Sequence, residues 1–249
     1  MKRRALAALF AAKILLFAST PALCSTILVT DKAGINDEGL LSWSALGASG
    51  SLVPNPFTVE VPGIAGLTLT GSEGDHLFER WDEGSVGWQG NFTDGEPLLF
   101  TGLNYEPTAA YGPMDFTFNF GISGFGTQIQ QEFFGPFVAQ IFAYNAADQL
   151  LGTYSVNGVA DDGISVAPFI GIRSDAADIR RVRLSIPIAT NEAFNRTESF
   201  AINSPVIEAT PAPEPASLLL LGTGLLMGAR YARRRCRAAD ESAGSAPRR

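Results

Sequence analysis

Apolar and polar residues alternate with a period of two in several segments of the middle of the chain, a pattern typical of half-buried β-strands. The clearest run is residues 114–120, MDFTFNF, in which every second side chain is methionine or phenylalanine. Residues 181–186, RVRLSI, alternate in the same way, with Arg181 and Arg183 on the polar face. Each run predicts a strand with one face toward a core and the other toward solvent.

Weaker runs and turn-forming residues complete this series of short strands. The runs lie at residues 57–61, 67–69, 137–144, 152–156 and 199–202, and residues 145–148 predict a hairpin loop between two of them. Turns are predicted at residues 62–63, 71–74, 121–126 and 161–163, where glycine, proline and aspartate cluster. No segment between them shows a long amphipathic helix pattern. We therefore predict an all-β fold, a single antiparallel β-sandwich of jelly-roll-like type over residues 25–208.

Residues 1–24 have the composition of an export signal. Lys2, Arg3 and Arg4 precede a mostly apolar run, and small residues at Ala22 and Cys24 precede a predicted cleavage point. Two alternatives stay open at this stage. One is an ordinary amphipathic first helix, and the other is a lipoprotein signal with Cys24 lipidated.

The C-terminal region divides into three predicted parts. Residues 209–215 form a proline-rich linker, residues 216–232 a transmembrane helix, and residues 233–249 a basic cytoplasmic tail. The helix is predicted because residues 216–229 carry no charge, and the arginines that follow would hold its end on the cytoplasmic side. This membrane stop consists of Arg230, Arg233, Arg234, Arg235 and Arg237. A plain tail anchor is the alternative interpretation.

The order of a Pro213-Glu214-Pro215 triplet, a short apolar helix and an arginine cluster resembles the PEP-CTERM sorting signal. The resemblance implies export by a Gram-negative bacterium and processing by an exosortase, a membrane-embedded transpeptidase, near the triplet that it recognises. It also implies association with exopolysaccharide and the cell surface. Residues 137–202 resemble the β-sandwich ectodomains found beside such signals and, more loosely, jelly-roll carbohydrate-binding modules.

Charge and composition narrow the function of the middle region. The chain has 249 residues and a formal net charge of −7, yet residues 25–210 hold seven basic and 22 acidic side chains. This excess of acids argues against nucleic acid as a partner, because phosphate binding needs a basic surface. One histidine and two cysteines argue against a histidine-based metal site and a disulfide framework.

The candidate binding residues lie close together in residues 73–88. Carboxylates cluster at Glu73, Asp75, Glu79, Asp82 and Glu83. Clustered carboxylates can bind Ca²⁺, although a solvated acidic loop is the alternative, and no other cofactor is expected. Trp81 and Trp88 are candidates for stacking on carbohydrate, with core packing as the alternative. Trp81 is the first choice for an exposed ring because it lies within the acidic segment.

Together these features predict an exported protein of the cell surface or extracellular matrix that is not an enzyme. It would lie in the inner membrane through residues 216–232 until exosortase processes it, and would then associate with exopolysaccharide. One alternative is a secreted carbohydrate-binding module. A less favoured alternative is a secreted hydrolase, which would need a carboxylate pair or a site built on His76.

Overall fold

The computed structural model describes residues 25–74, 77–84, 88–102, 113–187 and 199–209. No helix in these segments is long and apolar enough to cross a membrane. The predicted signal peptide, the sorting triplet, the predicted transmembrane helix and the basic tail lie outside the described residues.

The described residues form fifteen strands and two short 3₁₀ turns, Lys32–Gly34 and Trp43–Leu46. In chain order the first eight strands are β1 Thr26–Val29, β2 Gly39–Leu40, β3 Ser51–Val53, β4 Phe57–Glu60, β5 Thr68–Glu73, β6 Phe78–Asp82, β7 Pro97–Phe100 and β8 Met114–Ile122. The other seven are β9 Gly124–Gln131, β10 Gly135–Tyr144, β11 Leu150–Ala160, β12 Phe169–Ser174, β13 Ile179–Ser185, β14 Phe200–Asn203 and β15 Val206–Glu208.

These strands build two antiparallel sheets, which confirms the predicted all-β fold. The nine-stranded sheet has the order β1-β12-β9-β14-β7-β6-β3, and β15 adds to β9 and carries β2 on its other side. The six-stranded sheet has the order β11-β10-β13-β8-β5-β4. Strand β9 pairs with three strands: β12 lies along one edge, and β15 and β14 lie one after the other along the other edge.

The main core contains buried side chains from both sheets. Phe116 and Phe118 on β8 are fully buried, as are Phe125 and Ile129 on β9. Trp43 stacks on Phe116 with ring centroids 6.0 Å apart, and Phe116 stacks on Phe125 at 5.7 Å. Burying one such side chain stabilises the fold by roughly 1.5–3 kcal/mol, so this cluster is a large part of what holds the two sheets together.

The strongest sequence patterns correspond to observed strands. The alternating runs at residues 114–120 and 181–186 lie in β8 and β13, with Phe116, Phe118 and Val182 buried. The predicted hairpin is β10 with β11. Period-two alternation succeeded here because each of these strands has one face in the core and one in solvent.

Two of the predicted glycine turns are wrong. Gly71 lies within β5, and Gly124 and Gly126 lie within β9, so that only Ser123 separates β8 from β9. A Cβ at Gly71 would lie 2.4 Å from Cζ of Phe57, and one at Gly126 would lie 2.4 Å from Cζ of Phe169. These glycines leave room for an aromatic ring that packs on the strand.

Charged pairs fix the strand register on the outer face of the six-stranded sheet. Asp115 on β8 lies opposite Arg183 on β13. Its carboxylate accepts hydrogen bonds from Nε of Arg183 at 3.0 Å and from a terminal nitrogen of Arg181 at 2.9 Å. Arg181 also pairs with Asp148 and lies 3.8 Å from the ring centroid of Tyr144. Opposite charges facing each other across strands favour this register over a slipped one.

We expect Phe116→Ala to lower the free energy of unfolding by about 3–5 kcal/mol, because it leaves a cavity between Trp43 and Phe125. Urea unfolding followed by tryptophan fluorescence measures this change. Phe133→Ala is the matched control, since that side chain is 63% exposed, and its effect should stay within about 0.5 kcal/mol. Equal effects of the two substitutions would contradict the assignment of Phe116 to the core.

Candidate functional site

The first and the last residues of the sandwich lie close to Ser123, the single residue between β8 and β9. The N–H of Ser123 donates to the carbonyl of Glu208 at 2.7 Å, and the N–H of Ser174 donates to the carbonyl of Ser123 at 2.7 Å. The N–H of Asp175 donates to the carbonyl of Ser25 at 3.3 Å. The segments that precede Ser25 and follow Glu208 therefore leave the sandwich at the same end.

Hydrogen bonds to the carboxylate of Glu208 hold the C-terminal end of the sandwich in place. Glu208 is fully buried, and it accepts hydrogen bonds from Arg173 at 3.2 Å and from the backbone and side-chain nitrogens of Asn36 at 3.3 and 3.2 Å. A buried carboxylate is stable only when it is paired and hydrogen-bonded, as it is here. In the sequence, Pro213 of the predicted sorting triplet follows Glu208 by five residues.

The predicted carboxylate cluster is divided between the two sheets. Glu73 lies on β5 of the six-stranded sheet, whereas Glu79 and Asp82 lie on β6 of the nine-stranded sheet. Glu79 accepts a hydrogen bond from Trp81, and Asp82 pairs with Arg80 at 2.5 Å. Within the described segments, no three His, Cys, Asp or Glu side chains are placed to hold a metal ion. Asp75 and His76 lie outside those segments, so the calcium site stays a prediction.

Glu83 is a buried carboxylic acid at the end of β6. One carboxylate oxygen accepts a hydrogen bond from the N–H of Gly90 at 2.7 Å, and the other has no partner among the described residues. Burial raises the pKa of Glu83, the hydrogen bonds from Gly90 and Phe92 oppose this, and the charges of Asp94 and Glu96 raise it further. The fold therefore favours the protonated form of this side chain.

The three tryptophans differ in burial, and the stacking sites at Trp81 and Trp88 stay predictions. Trp43 is fully buried, and its indole nitrogen donates to the carbonyl of Asn203 at 2.9 Å. Trp88 is 8% exposed and packs against Phe100 with centroids 4.8 Å apart. Trp81, the first choice for an exposed ring, is half-buried and donates to Glu79 at 2.7 Å. Trp81 and Trp88 belong to a second apolar cluster on the outer face of the nine-stranded sheet.

A cleft that the sequence did not reveal lies elsewhere on this outer face. It has a volume of about 420 Å³ and lies between residues 30–32, after β1, and residues 166–168, before β12. Phe169, Gln128 and Asn203 form part of its lining. The signal in the sequence that could have indicated it is Gly124 and Gly126 of β9, which lie within residues 121–126, where a turn is predicted.

The ring of Phe169 rests on glycines of two neighbouring strands. A Cβ at Gly126 of β9 or at Gly171 of β12 would lie 2.4 or 3.1 Å from the nearest ring carbon. Ile35, which is 2% exposed, packs over the same two glycines. The ring is half-buried, so it is seated on the sheet and still forms part of the cleft surface.

Amide side chains hold the cleft wall in place. The side-chain nitrogen of Asn203 donates to Gln128 at 2.7 Å and to Glu96 at 2.8 Å. The side-chain nitrogen of Gln128 donates to the carbonyl of Ala167 at 3.0 Å, which ties residues 166–168 to the sheet. Because these amides are buried or half-buried and fully engaged, the wall is preorganised.

Comparison with known proteins identifies the C-terminal segment. Residues 211–235 match the PEP-CTERM protein-sorting motif, as predicted from the order of their features. The motif implies that the chain is exported, that it is processed by exosortase, and that it passes through the membrane before release at the cell surface.

Similarity to other known proteins is limited. No curated protein matches the chain. Among solved structures, the sandwich is similar to a DUF4465 family protein from Bacteroides caccae ATCC 43185, with 13% sequence identity and a TM-score of 0.37. That similarity covers 74% of this chain and 99% of the Bacteroides chain.

We expect Glu83→Gln to change the pH dependence of stability. A carboxyl whose pKa is higher in the folded than in the unfolded chain binds more protons when folded, so its contribution to stability falls as pH rises above the ordinary value of 4.5. The melting temperature of Glu83→Gln, relative to the native protein, should therefore increase as pH rises from about 4.5 and level off above the folded-state pKa.

Glu60→Gln is the matched control for this comparison. Glu60 is exposed on β4, and its substitution should leave the slope of melting temperature against pH unchanged. Thermal unfolding by circular dichroism between pH 4 and pH 8 (roughly the range in which a raised carboxyl titrates) measures both variants. Parallel curves for Glu83→Gln and the native protein would contradict the burial of an uncompensated carboxylate.

Proposed function

We propose that this exported, exosortase-processed protein becomes a component of the exopolysaccharide matrix on the surface of a Gram-negative bacterium and acts there by binding, not as an enzyme. The PEP-CTERM motif at residues 211–235 is the observation that carries the proposal. In this scheme residues 1–24 direct export. Residues 216–232 then hold the chain in the inner membrane, and the arginine cluster remains in the cytoplasm until processing.

The shared exit point supports this membrane arrangement. Ser25, which follows the predicted signal peptide, and Glu208, which precedes the proline-rich linker, lie at the same end of the sandwich. A sandwich attached in this way can sit above one membrane face without either end having to pass around it. Four residues separate Glu208 from the Pro213-Glu214-Pro215 triplet, a reach of at most about 17 Å when fully extended. Because the triplet immediately precedes residues 216–232 in the sequence, it would be presented close to the membrane, where a membrane-embedded transpeptidase acts.

A secreted carbohydrate-binding module is the second candidate function. The cleft beside Phe169 favours it, since a half-apolar cleft with polar edges is a common form of ligand site. The two candidates differ in where the mature chain ends up. A matrix component stays in the cell-surface fraction with the polysaccharide, whereas a secreted module is recovered from the medium.

We expect Glu214→Ala to block sorting, because it removes the central carboxylate of the triplet. The unprocessed chain should then accumulate in the membrane fraction, and the surface fraction should lose most of the protein. Glu241→Ala, a change of the same type in the basic tail, is the matched control and should be processed like the native chain. Immunoblots of cell fractions, with the mass of the mature protein, measure both outcomes. Normal processing and surface delivery of Glu214→Ala would overturn the sorting scheme.

A further inference from the structure

We infer that the cleft between residues 30–32 and residues 166–168 binds a neutral pyranose segment of a polysaccharide, with Phe169 as the apolar platform. The inference rests on the proposed function, because it assigns the binding surface by which the protein would join the matrix. It departs from the sequence prediction, which placed carbohydrate stacking at Trp81 and Trp88.

The size and position of the cleft fit one or a few sugar rings. Its volume of about 420 Å³ lies in the range of roughly 300–1,000 Å³ that is usual for small-ligand sites. Its lining comes from strands β9 and β12 of the nine-stranded sheet and from the segments beside them. Its two walls come from segments that are far apart in the sequence. The side-chain amide of Gln128 holds one of these segments to the sheet by a hydrogen bond.

One part of the cleft surface is apolar. The Phe169 ring is seated on Gly126 and Gly171 and packs against the apolar cluster that includes Ile35, and the part of the half-buried ring that stays accessible lines the cleft. Val166, which is 76% exposed, and Pro168 extend this apolar area. A pyranose ring has one face of C–H groups, and such a face gains free energy by covering an exposed aromatic ring.

The opposite edge of the cleft carries hydroxyl and charged groups. Thr30, Asp31 and Lys32 are exposed along one wall, and Ser204 lines the cleft next to Asn203. The Ser204 hydroxyl accepts the backbone N–H of Trp43 at 3.4 Å, so its own hydrogen is left to donate. This supplies donors and acceptors for the hydroxyl edge of a sugar, next to a platform for its C–H face.

The charge around the cleft favours a neutral polymer. The lining holds one acid, Asp31, and one base, Lys32, and the charge of Lys32 is further offset by Asp37 at 3.7 Å, so the wall carries no net positive charge. The surrounding region, residues 25–210, has 22 acidic and seven basic side chains. A polyanionic chain such as alginate would be repelled by this field, whereas a neutral glycan would not.

Affinity electrophoresis of the full chain tests the inference. The protein is purified in a polyoxyethylene detergent, since a maltoside headgroup would compete for a sugar site. It is run in native gels that contain neutral or acidic exopolysaccharide extracted from the producing cells. The variants are Phe169→Ala, which removes the platform, and Val166→Arg, which obstructs the cleft from an exposed position. Val138→Arg is the matched control, because Val138 is 43% exposed on the six-stranded sheet.

We expect retardation of the native chain by the neutral fraction, with an apparent dissociation constant at least about tenfold higher for Phe169→Ala and Val166→Arg. Val138→Arg and Trp81→Ala should bind like the native chain. Melting temperatures of all variants show whether each one is folded. Because Val166 is exposed, the Val166→Arg result stands even if Phe169→Ala does not fold.

Three outcomes would overturn the inference in distinguishable ways. If the native chain binds and both cleft variants bind equally well, the cleft assignment fails while matrix association stands. If the native chain binds only the acidic fraction, the neutral ligand is wrong. If neither fraction retards the native chain, the polysaccharide part of the proposed function fails together with the cleft, although exosortase sorting does not depend on it.

Discussion

Strand β9 is the element on which the rest of the structure depends, because it uses both of its faces and both of its edges. On its inner face, Phe125 and Ile129 belong to the core between the sheets. Its two edges pair with β12 and, in succession, with β15 and β14. On the outer face, Gly124 and Gly126 have no side chains, and this allows Glu208, Ile35 and Phe169 to lie directly on the sheet. Both the packing of Glu208 at the end of β15 and the cleft beside Phe169 depend on the absence of side chains at Gly124 and Gly126.

The outer face of the nine-stranded sheet is therefore unlike the outer face of a simple two-layer sandwich. Loops cover much of it, and they bury polar groups that a solvent-facing sheet would leave in water. Glu208 is stabilised there by Arg173 and Asn36, whereas Glu83 has a hydrogen bond to only one of its carboxylate oxygens among the described residues. The first arrangement fastens the strand end, whereas burial of the second carboxyl raises its pKa.

The position of the termini connects this fold to sorting. An exosortase-processed chain has to present its C-terminal segment to a membrane enzyme while the folded part lies outside the membrane. The backbone hydrogen bonds around Ser123 bring the start and the end of the sandwich to one edge, and Glu208 makes the end of β15 a firm anchor for the linker.

The sequence by itself determined two features: the strands that have one solvent-exposed and one buried face, and the sorting motif at residues 211–235. Both are local patterns: the side chains of β8 and β13 record their burial in every second residue, and the motif is an ordered run of about 25 residues. Only the tertiary structure decided that Gly124 and Gly126 lie in a strand, that Trp88 is buried, and that Phe169 lines a cleft. These properties depend on contacts between segments that are far apart in the sequence, such as residues 30–32 and residues 166–168 on either side of the cleft. Contacts between such distant segments leave no periodic pattern in the sequence of either one. A glycine makes space for a ring that comes from another part of the chain, so the sequence around the glycine does not show which residue fills that space.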